Sequence, residues 1–145
     1  MTHAPEKTTS EDPPVLLTLT PTHPYFHPSK TLPIPPNQTL AIGRFTGTDE
    51  TLPAPDNGYY ESPALSRRHC VFFSASSGAG CARTLHVQDL GTLNGTYLNG
   101  ARLGAEGRVS VPVCVESGDC VVFAHNVSFE GVLYTSVEVI VGVEV

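Results

Sequence analysis

Positively charged residues and long apolar stretches are scarce in this sequence. It has no tryptophan, a single methionine and only 8 Lys plus Arg against 14 Asp plus Glu, which gives a formal net charge of −6. General nucleic-acid binding needs a basic surface, so this balance argues against a nucleic-acid partner. No apolar run approaches the ~20 residues of a membrane-spanning helix, and the polar, proline-rich N-terminus does not resemble a secretory signal. We therefore expect no direct insertion of this chain into a membrane.

Cysteine is also sparse, and its spacing indicates no metal site. The 4 cysteines form no C-x-x-C pair, and no histidine follows them at the spacing of metal ligands. Cys70 and Cys120 lie within apolar runs, where a reduced thiol packs as a small hydrophobe. The sequence therefore predicts free structural thiols, as in intracellular proteins, and implies neither a metal nor another cofactor.

The residues that are abundant favour an all-β domain. The chain has 145 residues, 40% of them hydrophobic, with 13 glycines and 13 prolines. Short β-branched runs between Gly- and Pro-rich turns are typical of a β-sandwich with loops gathered at its ends. Residues 1–14 are polar without periodicity and are predicted to form a disordered leader, with the folded domain over 15–145. The predicted strands include Val15–Thr20, Thr39–Gly43, Cys70–Ser74, Cys81–Val87, Cys120–Ala124 and Val132–Val143.

Small polar and charged side chains cluster in three turns that each adjoin an apolar run. These are Gly43-Arg44, Leu65–Val71 and Asp89–Gly100. In a sandwich such turns can converge at one end. The long Phe45–Ser62 segment leads into the second of them, and loops of that length in compact domains are usually functional or disordered. We expect a functional role for it.

The chemistry of these turns suits a phosphate held beside an extended peptide. The Arg44 guanidinium can donate to two phosphate oxygens at once, and Arg67 adds a second cation. Ser66 offers a hydroxyl and a backbone N–H, and Thr92 supplies a further donor. Asn94 carries a donor and an acceptor, which suits a peptide backbone. The sequence therefore predicts a site for a phosphate on an extended peptide, without catalytic residues.

A hydrolase with Ser66 as nucleophile and His69 as base is the enzymatic alternative. The chain has no G-x-S-x-G motif before a helix, and Asp89 is the only tempting third member of a triad. A histidine at this place is more simply explained as a buried ring that hydrogen-bonds the backbone of the loops. We therefore predict that the protein is not an enzyme.

Gly43-Arg44, Ser66-x-x-His69 and Asn94-Gly95-Thr96-x-x-Asn99 together resemble the forkhead-associated (FHA) domain family. The resemblance implies a β-sandwich of two twisted sheets with about eleven strands and binding loops at one end. It implies that these loops bind phosphothreonine peptides. Arg44 and Ser66 would hold the phosphate, Arg67 would add a contact and Asn94 would bind the peptide main chain. It assigns a supporting role in the loops to Gly43, His69, Gly95, Thr96 and Asn99. Leu93 departs from the Ser or Thr that many members carry there, so Thr92 or backbone groups would replace that hydroxyl.

The insert at 53–62, followed by Leu65–His69, resembles more narrowly the sarcolemmal membrane-associated protein family and its fungal Far/Vps64-type counterparts. That resemblance implies a cytoplasmic signalling adaptor of the striatin-interacting phosphatase and kinase (STRIPAK) assembly, which recruits phosphorylated kinases or other phosphothreonine proteins. Longer members carry coiled coils and an anchor in an internal membrane, and neither lies in these 145 residues. The alternative is a scaffold domain that binds partners independently of phosphate, through a sandwich face beside a degenerate pocket.

Overall fold

The computed structural model of the protein describes residues 13–23, 27–76 and 83–145. The predicted leader therefore lies outside the described residues except for Pro13 and Pro14, and so does the predicted strand start at Cys81. The strands in chain order are β1 Val15–Pro21, β2 Lys30–Ile34, β3 Thr39–Arg44, β4 Tyr59–Tyr60, β5 Cys70–Ser76, β6 Arg83–Asp89, β7 Thr96–Leu98, β8 Ala101–Arg102, β9 Val113–Val115, β10 Cys120–Phe123, β11 Val127–Phe129, β12 Val132–Tyr134 and β13 Val137–Glu144. One short 3-10 turn, Asp49–Thr51, follows β3.

The strands form two main sheets and a separate hairpin. One sheet has 6 strands in the order β2-β1-β13-β10-β7-β8, and the other has 5 in the order β4-β3-β5-β6-β9. Strands β11 and β12 form a 2-stranded hairpin of their own. The predicted all-β sandwich is confirmed. Its described residues contain thirteen strands where about eleven were expected, the additional ones being short.

Alternating apolar residues explain why the two sheets pack face to face. In β1, Val15, Leu17 and Leu19 are fully buried, while the residues between them point away from the core. Their partners from the other sheet include Phe72 and Val87, and all belong to one hydrophobic cluster. Burying each such side chain contributes about 1.5–3 kcal/mol, so the strand periodicity itself supplies the core that holds the loops in place.

The single long strand predicted over Val132–Val143 is wrong. The structure divides it into β12 and β13 at Thr135 and Ser136. The Ser136 N–H donates to Asn126 Oδ1 at 2.8 Å, and Ser62 Oγ donates to the Thr135 carbonyl at 2.7 Å. Side chains thus take the backbone groups that a continuous ladder would have used, and β12 pairs with β11 instead.

Candidate functional site

Three loops meet at one end of the sandwich and are joined by hydrogen bonds. Arg44, the last residue of β3, donates from Nη1 to the Leu65 carbonyl at 3.2 Å. Asn94 donates from Nδ2 to the Ala64 carbonyl at 2.8 Å. These bonds bring together the arginine, the Ser66 turn and the Asn94 loop, which are up to 50 residues apart in the chain.

Arg44, Ser66 and Arg67 form a small group of donors at this end. Arg44 and Ser66 are half-buried, and Arg67 is exposed. The backbone N–H of Ser66 is already used, because it donates to His69 Nδ1 at 3.1 Å. Within the part of the chain that the structure describes, the Ser66 hydroxyl and the Arg67 guanidinium have no hydrogen-bond partner. Their donors therefore remain available to an anion.

His69 is fully buried and connects the Ser66 turn to the Asn94 loop. Its Nδ1 accepts from the Ser66 N–H, so the proton lies on Nε2, which donates to the Gly95 carbonyl at 2.7 Å. Burial lowers the pKa of His69, although the Gly95 carbonyl and the Asp89 carboxylate oppose that shift. The ring is therefore neutral and contacts backbone through both nitrogens. Neither nitrogen is left to activate the Ser66 hydroxyl.

Stability should fall in mild acid because of this ring. Between the lowered pKa of folded His69 and the usual value of 6.5, the unfolded chain binds a proton that the folded chain does not. The stability contributed by neutral His69 is thus complete above pH 6.5 and is lost as the pH falls through the folded pKa. The slope for one such group is at most about 1.4 kcal/mol per pH unit.

Urea unfolding of wild type and His69→Gln between pH 7.5 and pH 5 measures this slope. Burial also lowers the pKa of His27, which contributes with the same sign, so His27→Gln is measured in parallel to separate the two contributions. We expect each variant to lose part of the pH dependence. A His69→Gln protein with the full wild-type slope would contradict the assignment.

The Asp89 carboxylate organises the Asn94 loop from inside. Asp89 is buried and accepts 4 hydrogen bonds. Its Oδ2 accepts the N–H groups of Gly91 and Thr92, both at 3.0 Å. Its Oδ1 accepts the hydroxyls of Thr92 at 2.8 Å and Thr96 at 2.7 Å. A buried carboxylate with this many donors fixes the turn by local side-chain-to-backbone bonding.

Thr92 and Gly95 belong to this internal network. Thr92 is buried, and its hydroxyl donates to Asp89 and accepts the Gly95 N–H at 2.9 Å. The hydroxyl therefore faces inward, which does not match its expected role as a donor to a peptide. Gly95 has φ +82, a conformation that suits glycine. Its carbonyl accepts from both His69 and the Ala124 N–H.

Arg102 of β8 contacts the outer side of the same loop. Its Nη2 donates to the carbonyls of Thr92 at 3.3 Å and Leu93 at 3.0 Å. A Cβ on Gly95 would approach Arg102 Nε to 2.9 Å, so the guanidinium occupies the space that glycine leaves open. Sequence reasoning missed both Arg102 and the structural role of Asp89. For Asp89, the Asp-x-Gly-Thr pattern of an Asx turn was the available signal, whereas Arg102 has no comparable local signal.

The remaining residues with predicted supporting roles lie at tight backbone approaches. A Cβ on Gly43 would overlap the Arg67 carbonyl oxygen, so only glycine allows the Ser66 turn to pack against β3. Asn99 has φ +49 in the turn after β7. Its Oδ1 accepts the Cys120 N–H at 2.9 Å, and its Nδ2 donates to Asp119 at 3.1 Å.

A buried lysine positions the insert that leads into the site. Lys30 Nζ donates to the Ala54 carbonyl at 2.6 Å and lies 4.6 Å from the centroid of the Tyr60 ring. Burial lowers the pKa of Lys30 to about 8, against the influence of Asp56. The Thr31 N–H donates to the Pro55 carbonyl at 2.9 Å, which adds a backbone contact. Ala54 and Pro55 of the insert are thereby held against β2.

Other kinds of site are not found in the described ranges. No cluster of His, Cys, Asp and Glu there could hold a metal ion. No helix among those residues has the length and apolar character to cross a membrane. The cysteines for which the structure gives a state, Cys70, Cys114 and Cys120, are free thiols.

Known proteins of similar sequence match most of this chain. A protein from Schizosaccharomyces pombe, "Uncharacterized protein C3H7.13", is 33% identical over 112 residues, which cover 77% of this chain and 35% of that protein. Sarcolemmal membrane-associated protein from Oryctolagus cuniculus is 29% identical over 106 residues, which cover 72% of this chain and 13% of that protein. The chain thus spans about a third or less of the length of these relatives.

Solved structures with the same fold include the MEK1 FHA domain, with a TM-score of 0.62 and 18% identity over 98% of this chain and all of that one. Its complex with a phosphothreonine peptide of HOP1 has a TM-score of 0.58 and 19% identity over 92% of this chain and all of that one. The model of the FHA domain family matches residues 40–124, which include every predicted site residue. The chain belongs to the FHA domain family.

Proposed function

We propose that this FHA domain binds phosphothreonine peptides at the loop end of the sandwich. FHA domains are interaction modules without catalytic activity. The observation that carries the proposal is the group formed by Arg44, Ser66 and Arg67 on an otherwise acidic chain of net charge −6. Two guanidiniums and a hydroxyl match the oxygens of a phosphate dianion, which forms charge-assisted hydrogen bonds with such donors.

In this proposal Arg44 and Ser66 hold the phosphate and Arg67 adds a third contact from the exposed side. Asn94 binds the peptide main chain through its Oδ1 and the second hydrogen of its Nδ2, because the Ala64 carbonyl takes only one of the two amide hydrogens. Thr92 is reassigned from the peptide contacts to the supporting residues, since both hydrogen-bonding functions of its hydroxyl are used inside the loop.

Leu93 gives the surface beside the phosphate an apolar character. Its side chain is 62% exposed, at a position where many FHA domains carry a hydroxyl. We therefore expect it to contact an apolar part of the peptide, with phosphate recognition left to the arginines and Ser66.

The domain should bind a labelled, degenerate phosphothreonine peptide pool and not its unphosphorylated twin. Fluorescence polarisation of both pools measures this difference. A phosphoserine pool tests the methyl group, whose burial alone is worth ~0.8 kcal/mol, or about fourfold in affinity. Equal binding of phosphorylated and unphosphorylated pools would overturn the proposal and favour a scaffold that is independent of phosphate.

We further propose that the domain acts in a cytoplasmic signalling adaptor that recruits phosphorylated clients, including kinases, to a STRIPAK-type assembly. The support is the relation to sarcolemmal membrane-associated protein, which extends over 72% of this chain. Co-precipitation of striatin-type components with a full-length protein that carries this domain tests the proposal. Client phosphorylation should be required for client capture and not for capture of the assembly itself.

A further inference from the structure

The β11–β12 hairpin exposes apolar side chains beside the loop end of the sandwich. Phe129 is 61% exposed, Val132 50% and Leu133 60%. Among the described residues, β11 and β12 pair only with each other, so both outer edges of the hairpin are unpaired. Contiguous exposed apolar surface, unlike apolar side chains exposed singly, can mark a binding site.

One face of the hairpin continues the hydrophobic core outward. Val127 pairs with Tyr134, and both pack against the core cluster. Phe129 and Val132 form the next pair on the same face, because side chains alternate along a strand. An apolar strip therefore runs from the core to the exposed end of the hairpin, and Leu133 lies on the opposite face.

The hairpin is held in a defined conformation and is joined to the site. The two-residue turn consists of Glu130, with φ +51, and Gly131, with φ +79. Positive φ at both positions is typical of the turns whose twist matches that of the two strands of a hairpin. At its base, the Ala124 N–H donates to the Gly95 carbonyl at 2.8 Å, next to Asn94. Ser62, on the loop that leads to Ser66, donates to the Thr135 carbonyl at 2.7 Å. The base of the hairpin is thus joined to the loops that form the candidate site, and the strip runs outward from that base.

The exposed strip is too small to hold a partner protein alone. Phe129 and Val132 together expose on the order of 200 Å² of apolar surface. A stable protein interface needs about 800 Å² on each partner, so a second copy of this chain would not be retained by this strip. A peptide already anchored through its phosphate nearby requires only a small additional contact.

We propose that the face formed by Phe129 and Val132 binds an apolar segment of the phosphothreonine client, beyond the residues that adjoin the phosphothreonine. This inference rests on the proposed function. It makes the hairpin a second specificity element: the phosphate anchors the client at Arg44, and the hairpin selects among phosphorylated clients by their apolar flanks.

Two labelled phosphothreonine pools of 19 residues test the inference. Both have the same degenerate positions near the phosphothreonine, and their outer six positions on each side are either a mixture of Leu, Ile, Val and Phe or serine only. Wild type should bind the apolar pool about five- to tenfold more tightly. Phe129→Ser and Val132→Ser should abolish this preference, whereas Leu133→Ser, equally exposed on the opposite face, should retain it.

The outcomes separate this inference from the proposed function. Phosphate-dependent binding with equal affinity for both pools, or a preference that survives Phe129→Ser, overturns the hairpin inference and leaves the function intact. Sedimentation velocity that shows a dimer dissociated by Phe129→Ser also overturns it, and assigns the face to a second copy. Absence of phosphate-dependent binding to either pool overturns both.

Discussion

Arg44→Ala is expected to weaken phosphothreonine-peptide binding by roughly 30- to 1000-fold, or ~2–4 kcal/mol. One charge-assisted hydrogen bond is worth ~1.5–3 kcal/mol, and removal of the guanidinium also leaves phosphate charge without a partner. The variant further loses the bond from Arg44 to the Leu65 carbonyl, which holds the Ser66 turn near β3. Fluorescence polarisation with a single phosphothreonine peptide selected from the pool gives the ratio of Kd values.

Two further variants separate charge from geometry in this experiment. Arg44→Lys keeps the charge but cannot donate to two oxygens in a planar fork, so we expect an intermediate loss of roughly tenfold. Arg108→Ala removes one positive charge from an exposed arginine on the connection between β8 and β9, and should leave the Kd within about twofold. If Arg44→Ala and Arg108→Ala weaken binding equally, the contribution of Arg44 is only long-range electrostatics and the proposed contact is incorrect.

Asp89→Asn is expected to lower the free energy of unfolding by about 2–4 kcal/mol. Asp89 accepts two backbone N–H groups on Oδ2 and two hydroxyls on Oδ1. An amide in the same place must direct its NH₂ group toward one of these pairs of donors. If the NH₂ group faces the N–H pair, the Gly91 and Thr92 N–H groups lose their acceptor in a buried site, because the backbone cannot reorient. If it faces the two hydroxyls, they can reorient, but they lose the carboxylate oxygen that accepted from them. Urea unfolding at constant m measures the change.

Glu106→Gln is the matched control for Asp89→Asn, since it also removes one carboxylate but from an exposed position. It should change the free energy of unfolding by less than about 0.5 kcal/mol. Asp89→Asn should also reduce phosphopeptide affinity at temperatures where the variant stays folded, because Asn94 lies on the loop that Asp89 fixes. An Asp89→Asn protein as stable as Glu106→Gln would show that the carboxylate is not needed to hold the turn.

Much of the architecture could be predicted from local patterns. The alternation of Val15, Leu17 and Leu19 predicts β1 and the face that it buries, because side chains alternate along any strand. The prediction failed over Val132–Val143, where the apolar run is continuous across two strands. Two side-chain-to-backbone hydrogen bonds divide it: Ser62 Oγ donates to the Thr135 carbonyl, and Asn126 Oδ1 accepts the Ser136 N–H. Ser62 is more than 70 residues away, so no local pattern contains that information.

In the candidate site, too, local patterns identify some residues, while the roles of others depend on tertiary contacts. Arg44, Ser66 and Asn94 are identifiable because each places an uncommon polar side chain in a turn beside an apolar run. Thr92 has the same local character, and yet its hydroxyl faces inward to Asp89 and Gly95. Whether a hydroxyl in a turn faces solvent or the interior depends on which donors and acceptors the rest of the fold brings near it.

By itself, the sequence determined the class of fold and the chemistry available at its loop end, because strand alternation, turn residues and the scarcity of cations are all local or compositional properties. Only the tertiary structure decided which side chains support the site and which remain available to a ligand. No local sequence pattern predicts that Arg102 contacts the Thr92 carbonyl, that Lys30 holds the insert or that Phe129 is exposed. Hydrogen bonding and burial act between groups that folding brings together, and spacing in the sequence does not record those distances.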